Sequence, residues 1–208
     1  MTTNIPTIIL ASSSIYRQQL LTKLGLNFKS LAPNVDETKY PSETIEQMVM
    51  RLSLNKAKAV AKQQPDAIVI ASDQTASLNE QAIGKAGNYQ SAFNQLKNQS
   101  GQTIVFYTGL AVYNPADQTY LSAMDTTLVE FRQLSDTQIH NYLMAEQPYD
   151  CAGSFKSEGL GVCLFNRIQT QDPNALIGLP LIMLTQLLDQ IGISLPIAKL
   201  ATRQDDQN

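Results

Sequence analysis

The chain has 208 residues, with 15 Lys+Arg against 18 Asp+Glu, one His, two Cys, no Trp and a formal net charge of −3. That balance argues against broad binding to a nucleic-acid backbone, which needs a basic face. One His excludes a multi-His zinc or iron centre and leaves any Ser-His-Asp or Cys-His chemistry to His140 alone.

Residues 7–11 (Thr-Ile-Ile-Leu-Ala) are short, apolar and β-branched, the pattern of a buried strand. Apolar periodicity over 15–24 then predicts a helix capped by Ser14 and ended by Gly25. A second strand is expected at 27–32, followed by a loop over 33–41 that holds Asp36 and Glu37. Thr44-Ile-Glu-Gln47 is a capping-box pattern opening a helix to about residue 64. Residues 67–72 read as another apolar strand, with Asp73 at its carboxyl end. A helix over 89–98 and a long hairpin of 103–113 and 119–131, turning at Asn114-Pro-Ala-Asp117, come next. Ser135-Asp-Thr-Gln138 caps a further helix, 160–165 is a strand candidate, and Pro180 opens a last helix that stops before Gly192. The polar tail after Pro196 is expected to fray.

This alternation is mixed α/β, a class in which ligands collect at the carboxyl ends of strands. The length suits one domain. Cys151 and Cys163 are too few for a disulfide framework and are expected as reduced core thiols. Residues 1–10 lack the features of a secretory leader, and the longest apolar-leaning stretch, 104–113, is too short to span a membrane. A cytoplasmic protein is expected.

Six segments carry chemistry. Ala11-Ser-Ser-Ser-Ile-Tyr-Arg17 is a serine-rich strand-to-helix turn that offers hydroxyls and free N–H groups to an anion, with Arg17 in reach; the plain alternative is a cap and a surface arginine. Val35-Asp-Glu37 places two carboxylates where they could hold a hard divalent cation, or simply a solvated turn. Asp73 in Ile70-Ala-Ser-Asp-Gln74 follows a buried strand and is a candidate metal ligand or general base, with a turn cap as the plain alternative. Ile83-Gly-Lys85 offers a point charge to phosphate but lacks the spacing of a Walker loop. Lys56, in Asn55-Lys-Ala-Lys58, is a further candidate, although a solvated helix face is favoured there. The span from Cys151 to Gly161 holds three glycines and an oddly placed Glu158. For Ile177-Gly-Leu-Pro-Leu181, packing and helix initiation are the preferred reading.

In this order and at these separations, the six segments resemble the Maf family of nucleoside triphosphate pyrophosphatases over about residues 7–192. Two positions depart from the family pattern: Ile15 and Ala86 stand where it usually has Pro. The resemblance implies a single Maf-like domain over 1–208, with a fold similar to the inosine-triphosphate pyrophosphatases and a cleft between two lobes. It also implies cleavage between the α- and β-phosphates with a divalent cation (Mg²⁺, Mn²⁺ or Co²⁺), and it is compatible with a homodimer. The family's catalytic acid, a proton acceptor, falls on Asp73; its other polar cleft positions fall on Ser12, Arg17, Glu37, Lys56 and Lys85. In this reading Glu37 and Asp73 hold the cation, and Ser12, Arg17, Lys56 and Lys85 meet phosphate.

Base preference in the family divides by a few residues. Here those positions are Tyr16, Gln74 and Glu158, a set similar to the branch acting on 7-methyl-GTP. Chemistry agrees: guanine presents N1–H and an amine on one edge, and an ionised Glu accepts from both. Tyr16 can stack on a cationic N7-methylated base for about 0.5–2 kcal/mol. The plain alternative packs Tyr16 on its helix and pairs Glu158 with Lys156 or another basic residue. The expected partner is a small nucleotide, not nucleic acid or a membrane. Rival readings are a pyrophosphatase of dTTP, UTP or another modified nucleotide, a non-catalytic nucleotide-binding regulator of cell division, and, weakest, an RNA-binding module.

Overall fold

The computed structural model describes residues 6–196; the expected polar tail lies outside them. Seven strands form one mixed sheet in the order β2-β1-β3-β5-β6-β7, with β4 paired to β3. They are β1 (Ile8–Leu10), β2 (Phe28–Ser30), β3 (Ile68–Leu78), β4 (Gln81–Ile83), β5 (Thr103–Asn114), β6 (Thr119–Phe131) and β7 (Phe165–Gln169). The helices are α1 (Ile15–Thr22), α2 (Ile45–Ala61), α3 (Tyr89–Gln99), α4 (Asp136–Glu146) and α5 (Leu181–Gln190).

β1 pairs in parallel with β2 on one side and β3 on the other. The α1 crossover therefore runs outward from β1 to β2 and the α2 crossover back past β1 to β3, so the two helices cover opposite faces of the sheet, as right-handed connections require. Leu20 and Leu21 of α1 pack with Leu184 and Leu188 of α5 on Ile8, Leu10 and Ile70. Ala57 and Val60 of α2 pack on Ile9, Ala11, Val69 and Ala71 from the other face. A separate core lies at the far end of the β5–β6 hairpin, where Phe106, Phe131 and Phe155 meet Leu96 of α3 and Leu143 of α4.

The helix signals act as expected. Ser14, Thr44 and Ser135 accept from the backbone three residues on, and Thr44 and Ser135 complete capping boxes with Gln47 and Gln138. Three expectations need correction. Asp73 does not end a strand: β3 is 11 residues long and runs on to Leu78, because β5 pairs with it from Val69 to Ser77. Residues 160–165 are not a strand. Leu160–Leu164 is a 3₁₀ turn, tight enough that a Cβ on Gly161 would clash with the Lys156 carbonyl, and extended pairing begins only at Phe165. Neither cysteine is a core residue: Cys163 is exposed and Cys151 half-buried.

The correction to β3 explains where a ligand can enter. On its other edge, β3 pairs with β1 only up to Ile70 and with β4 only from Ala76. Between them this edge has no strand neighbour, and Asp73 lies in that gap, beyond the carboxyl end of β1. Opposite Asp73 in the β3–β5 register is Gly109. A Cβ there would lie 2.9 Å from the Val49 carbonyl and 3.1 Å from Ser53 Oγ, so α2 rests directly on the β5 backbone. Gly109→Ala must push the helix away, at about 1–3 kcal/mol, and should lower Tm by about 2–4 °C for each kcal/mol. A thermal melt superimposing on the wild type would contradict this contact.

Candidate active site

Every candidate site residue lines one cleft of about 530 Å³: Ser12, Tyr16, Arg17, Glu37, Lys56, Asp73, Gln74, Lys85 and Glu158. The cleft lies over the gap in β3 and receives side chains from both cores.

Lys56 sets the geometry of its inner end. The α2 residues Ile45, Met48, Val49, Leu52, Ser53, Lys56, Ala57 and Val60 form the buried stripe of the helix, so Lys56 points inward with the apolar residues. The solvated-face reading of Lys56 is therefore wrong: the residue is 7% exposed. Its ammonium reaches Asp73 Oδ1 at 2.6 Å and Glu37 Oε1 at 2.6 Å. Asp73 is 6% exposed, and no protein donor among the described residues reaches its second oxygen. In the Val35-Asp-Glu37 segment the two acids have different roles. Asp36 accepts from the Thr38 amide and hydroxyl at 2.9 and 2.6 Å, which is a turn, while Glu37 extends to Lys56.

Arg17 joins this group from the first turn of α1. Its Nε donates to the Gly178 carbonyl at 2.8 Å. Burial pushes its pKa down, and the negative charges of Asp73 and Glu37 oppose that shift, so the guanidinium shares their enclosure and remains a cation. Ser12 is buried, and its Oγ accepts from the Ser14 amide at 3.1 Å. Lys85 is exposed and makes no ion pair within the described residues; a backbone bridge to Ala152 places it on the wall of the cleft.

Tyr16, next to Arg17 on α1, belongs to a second group with Asp150, Cys151 and Glu158. Its phenol is pushed up to about 12, first by burial and then by Cys151 and Asp150. The Cys151 thiol is likewise pushed up to about 12, by burial and then by Asp150. Both are neutral near pH 7, so Cys151 is not a thiolate nucleophile. Glu158 is exposed, and among the described residues its one side-chain hydrogen bond is from Ser157 Oγ, at 3.4 Å. The alternative pairing with Lys156 does not occur, because that lysine turns to Glu146 at 3.7 Å.

Gln74 has a divided role. Its Nε2 lies 2.7 Å from the Ala175 carbonyl, 3.1 Å from the Leu176 carbonyl and 2.9 Å from Thr108 Oγ1. Carbonyls only accept, so the amide NH₂ is fixed on the protein and a ligand can meet only Oε1. Ser72, although it lies within the Ile70-Ala-Ser-Asp-Gln74 segment, Thr108 and the carbonyls of residues 175–178 carry no individual role in the sequence reading, which treats Ile177-Gly-Leu-Pro-Leu181 as packing and helix initiation. Phe106, Phe155 and Leu176 add apolar wall.

The donors suit a hard divalent cation. Glu37 and Asp73 bring carboxylate oxygens to one point, now met by an ammonium. No cluster of three or more His, Cys, Asp or Glu exists among the described residues. Mg²⁺ is commonly held by one or two carboxylates together with substrate phosphates, and this pair fits that pattern.

Known proteins can now be set beside this geometry. The Maf-like protein family matches residues 7–191. A protein from Hydrogenovibrio crunogenus named 7-methyl-GTP pyrophosphatase is 55% identical over 94% of this chain and 98% of its own. One of the same name from Nitrosococcus oceani is 51% identical over 90% of this chain and 94% of its own. Among solved structures, the Staphylococcus aureus Ham1 protein superimposes with a TM-score of 0.52 at 17% identity, covering 88% of this chain and 98% of that one. This last likeness concerns the fold alone, and it agrees with the mixed α/β architecture expected above. With the family match spanning almost all the described residues, and relatives more than half identical, the chain belongs to the Maf-like protein family.

Proposed function

We propose that this protein is a nucleoside triphosphate pyrophosphatase that converts 7-methyl-GTP to 7-methyl-GMP and diphosphate. The observation that carries this is the division of one cleft into a Glu37–Lys56–Asp73–Arg17 end and a Tyr16–Glu158 end, joined by consecutive residues of α1. The relatives named for this activity support it.

The roles follow from chemistry. Arg17, Lys56 and Lys85 offset the charge of the triphosphate and the further charge that develops as the bond breaks. Asp73, fixed by Lys56 through one oxygen, orients a water with the other and accepts its proton. Glu37 and Asp73 would hold the divalent cation, Mg²⁺, Mn²⁺ or Co²⁺, which supplies charge neutralisation at phosphate oxygens. No covalent nucleophile is required, in keeping with a neutral Cys151.

At the other end, Glu158 has acceptor capacity left for the two donors of the guanine edge, and its charge attracts a methylated, cationic base. Tyr16 supplies an aromatic face. A pyrimidine lacks that pair of donors and that charge. No helix of the described residues is long and apolar enough to cross a membrane.

Two variants test the halves separately. Asp73→Asn should fold and bind nucleotide but lose about 10²–10⁴-fold in kcat; a folded variant with a near-normal rate would remove Asp73 from the base role. Glu158→Gln should lower kcat/KM for 7-methyl-GTP by about tenfold or more relative to UTP. An equal loss on both nucleotides would take base recognition away from Glu158.

A further inference from the structure

Gly178 lies between the 3₁₀ turn Ala175–Ile177 and the start of α5, in a segment whose carbonyls accept several side-chain hydrogen bonds. Its φ is +120°, a conformation that side chains disfavour. The Gly178 carbonyl accepts from two side chains, Arg17 Nε at 2.8 Å and the buried Ser72 Oγ at 2.8 Å. Three residues earlier, the Ala175 carbonyl accepts from Gln74 at 2.7 Å and Thr108 at 3.0 Å. Asp172 anchors the segment from both sides, accepting from Asn174 N at 2.9 Å and from Ile182 N at 2.5 Å.

A guanidinium is planar, so a bond at Nε toward a fixed oxygen sets both the direction and the plane of the Nη donors. Space reinforces the bond: a Cβ at position 178 would lie 3.3 Å from Arg17 Nε and 3.7 Å from its Nη2. We propose that Gly178 is a positioning residue for Arg17, its Ser72-held carbonyl aiming the guanidinium at the triphosphate. This rests on the pyrophosphatase reading and adds to it a function for the Ile177-Gly-Leu-Pro segment besides helix initiation. Arg17 is the group that touches substrate; Gly178 and Ser72 act through it.

The test is a double-mutant cycle on 7-methyl-GTP hydrolysis, with Gly178→Ala and Ser72→Ala each made alone and together with Arg17→Lys. Lysine keeps the charge but lacks the planar fork, so there is no plane left to set. Gly178→Ala should lower kcat by about tenfold or more in the Arg17 protein, as misplacement of a charged group does, and by less than about twofold in the Arg17→Lys protein. Equal fold-losses in both backgrounds would show a merely structural role and overturn the proposal, as would a Gly178→Ala enzyme of wild-type kcat. If Gly178→Ala does not fold, Ser72→Ala decides by the same criterion: its loss must vanish in the Arg17→Lys background, and a loss that persists there overturns the proposal. A wild-type protein that hydrolyses no triphosphate overturns the pyrophosphatase reading instead, whereas an active wild type with independent losses overturns only the role of Gly178.

Discussion

The Lys56 ammonium, its side chain only 8% exposed, lies 2.6 Å from Asp73 and 2.6 Å from Glu37. A cation with so little water must be matched by anions, and removing one partner of a buried pair costs about 3–5 kcal/mol. Much of the architecture serves this contact. Lys56 reaches Asp73 only because α2 lies directly on β5, and α2 can do so only because position 109 has no side chain. Glu37 comes from a loop with most of its side chain in water, at 60% exposure. The triad is therefore closed on the protein side and open on the solvent side, where a polyanion would arrive.

The sheet supplies the opening. β1 stops at Leu10 and β4 starts late, so the edge of β3 around Asp73 is left without a strand. On the α5 side of the sheet, the two apolar cores are separated along β3 and β5 by polar residues, Ser72, Gln74 and Thr108, whose side chains fix the carbonyls of residues 175–178. Those polar groups are hydrogen-bonded where burial demands it. They also hold the backbone to which Arg17 is tied, linking the α1 turn to the segment before α5.

Much of this was legible in the chain. The capping boxes at Thr44 and Ser135, the hairpin turn at Asn114 and the strand–turn–helix at Ser12–Arg17 depend on local chemistry and formed as read. So did the convergence of the candidate residues on one cleft, because the six segments were read together. The misses are tertiary. The length of β3 was hidden because Asp73, Gln74 and Thr75 interrupt the apolar run, and only β5 pairing keeps them extended. Lys56 looked solvated from its Asn55-Lys-Ala-Lys58 surroundings, although its spacing from Leu52 and Val60 already put it on the buried stripe. The Gly178 carbonyl left no side-chain signal at all.

Under the proposed function, the inner end of the cleft takes the phosphates and the outer end the methylated guanine. The most direct measurement is kcat/KM of the wild-type protein on 7-methyl-GTP, GTP, dTTP and UTP with a divalent cation, with products identified. The account predicts the highest value for 7-methyl-GTP, with 7-methyl-GMP and diphosphate as products. Faster hydrolysis of a pyrimidine triphosphate, or release of inorganic phosphate from 7-methyl-GTP, would contradict it.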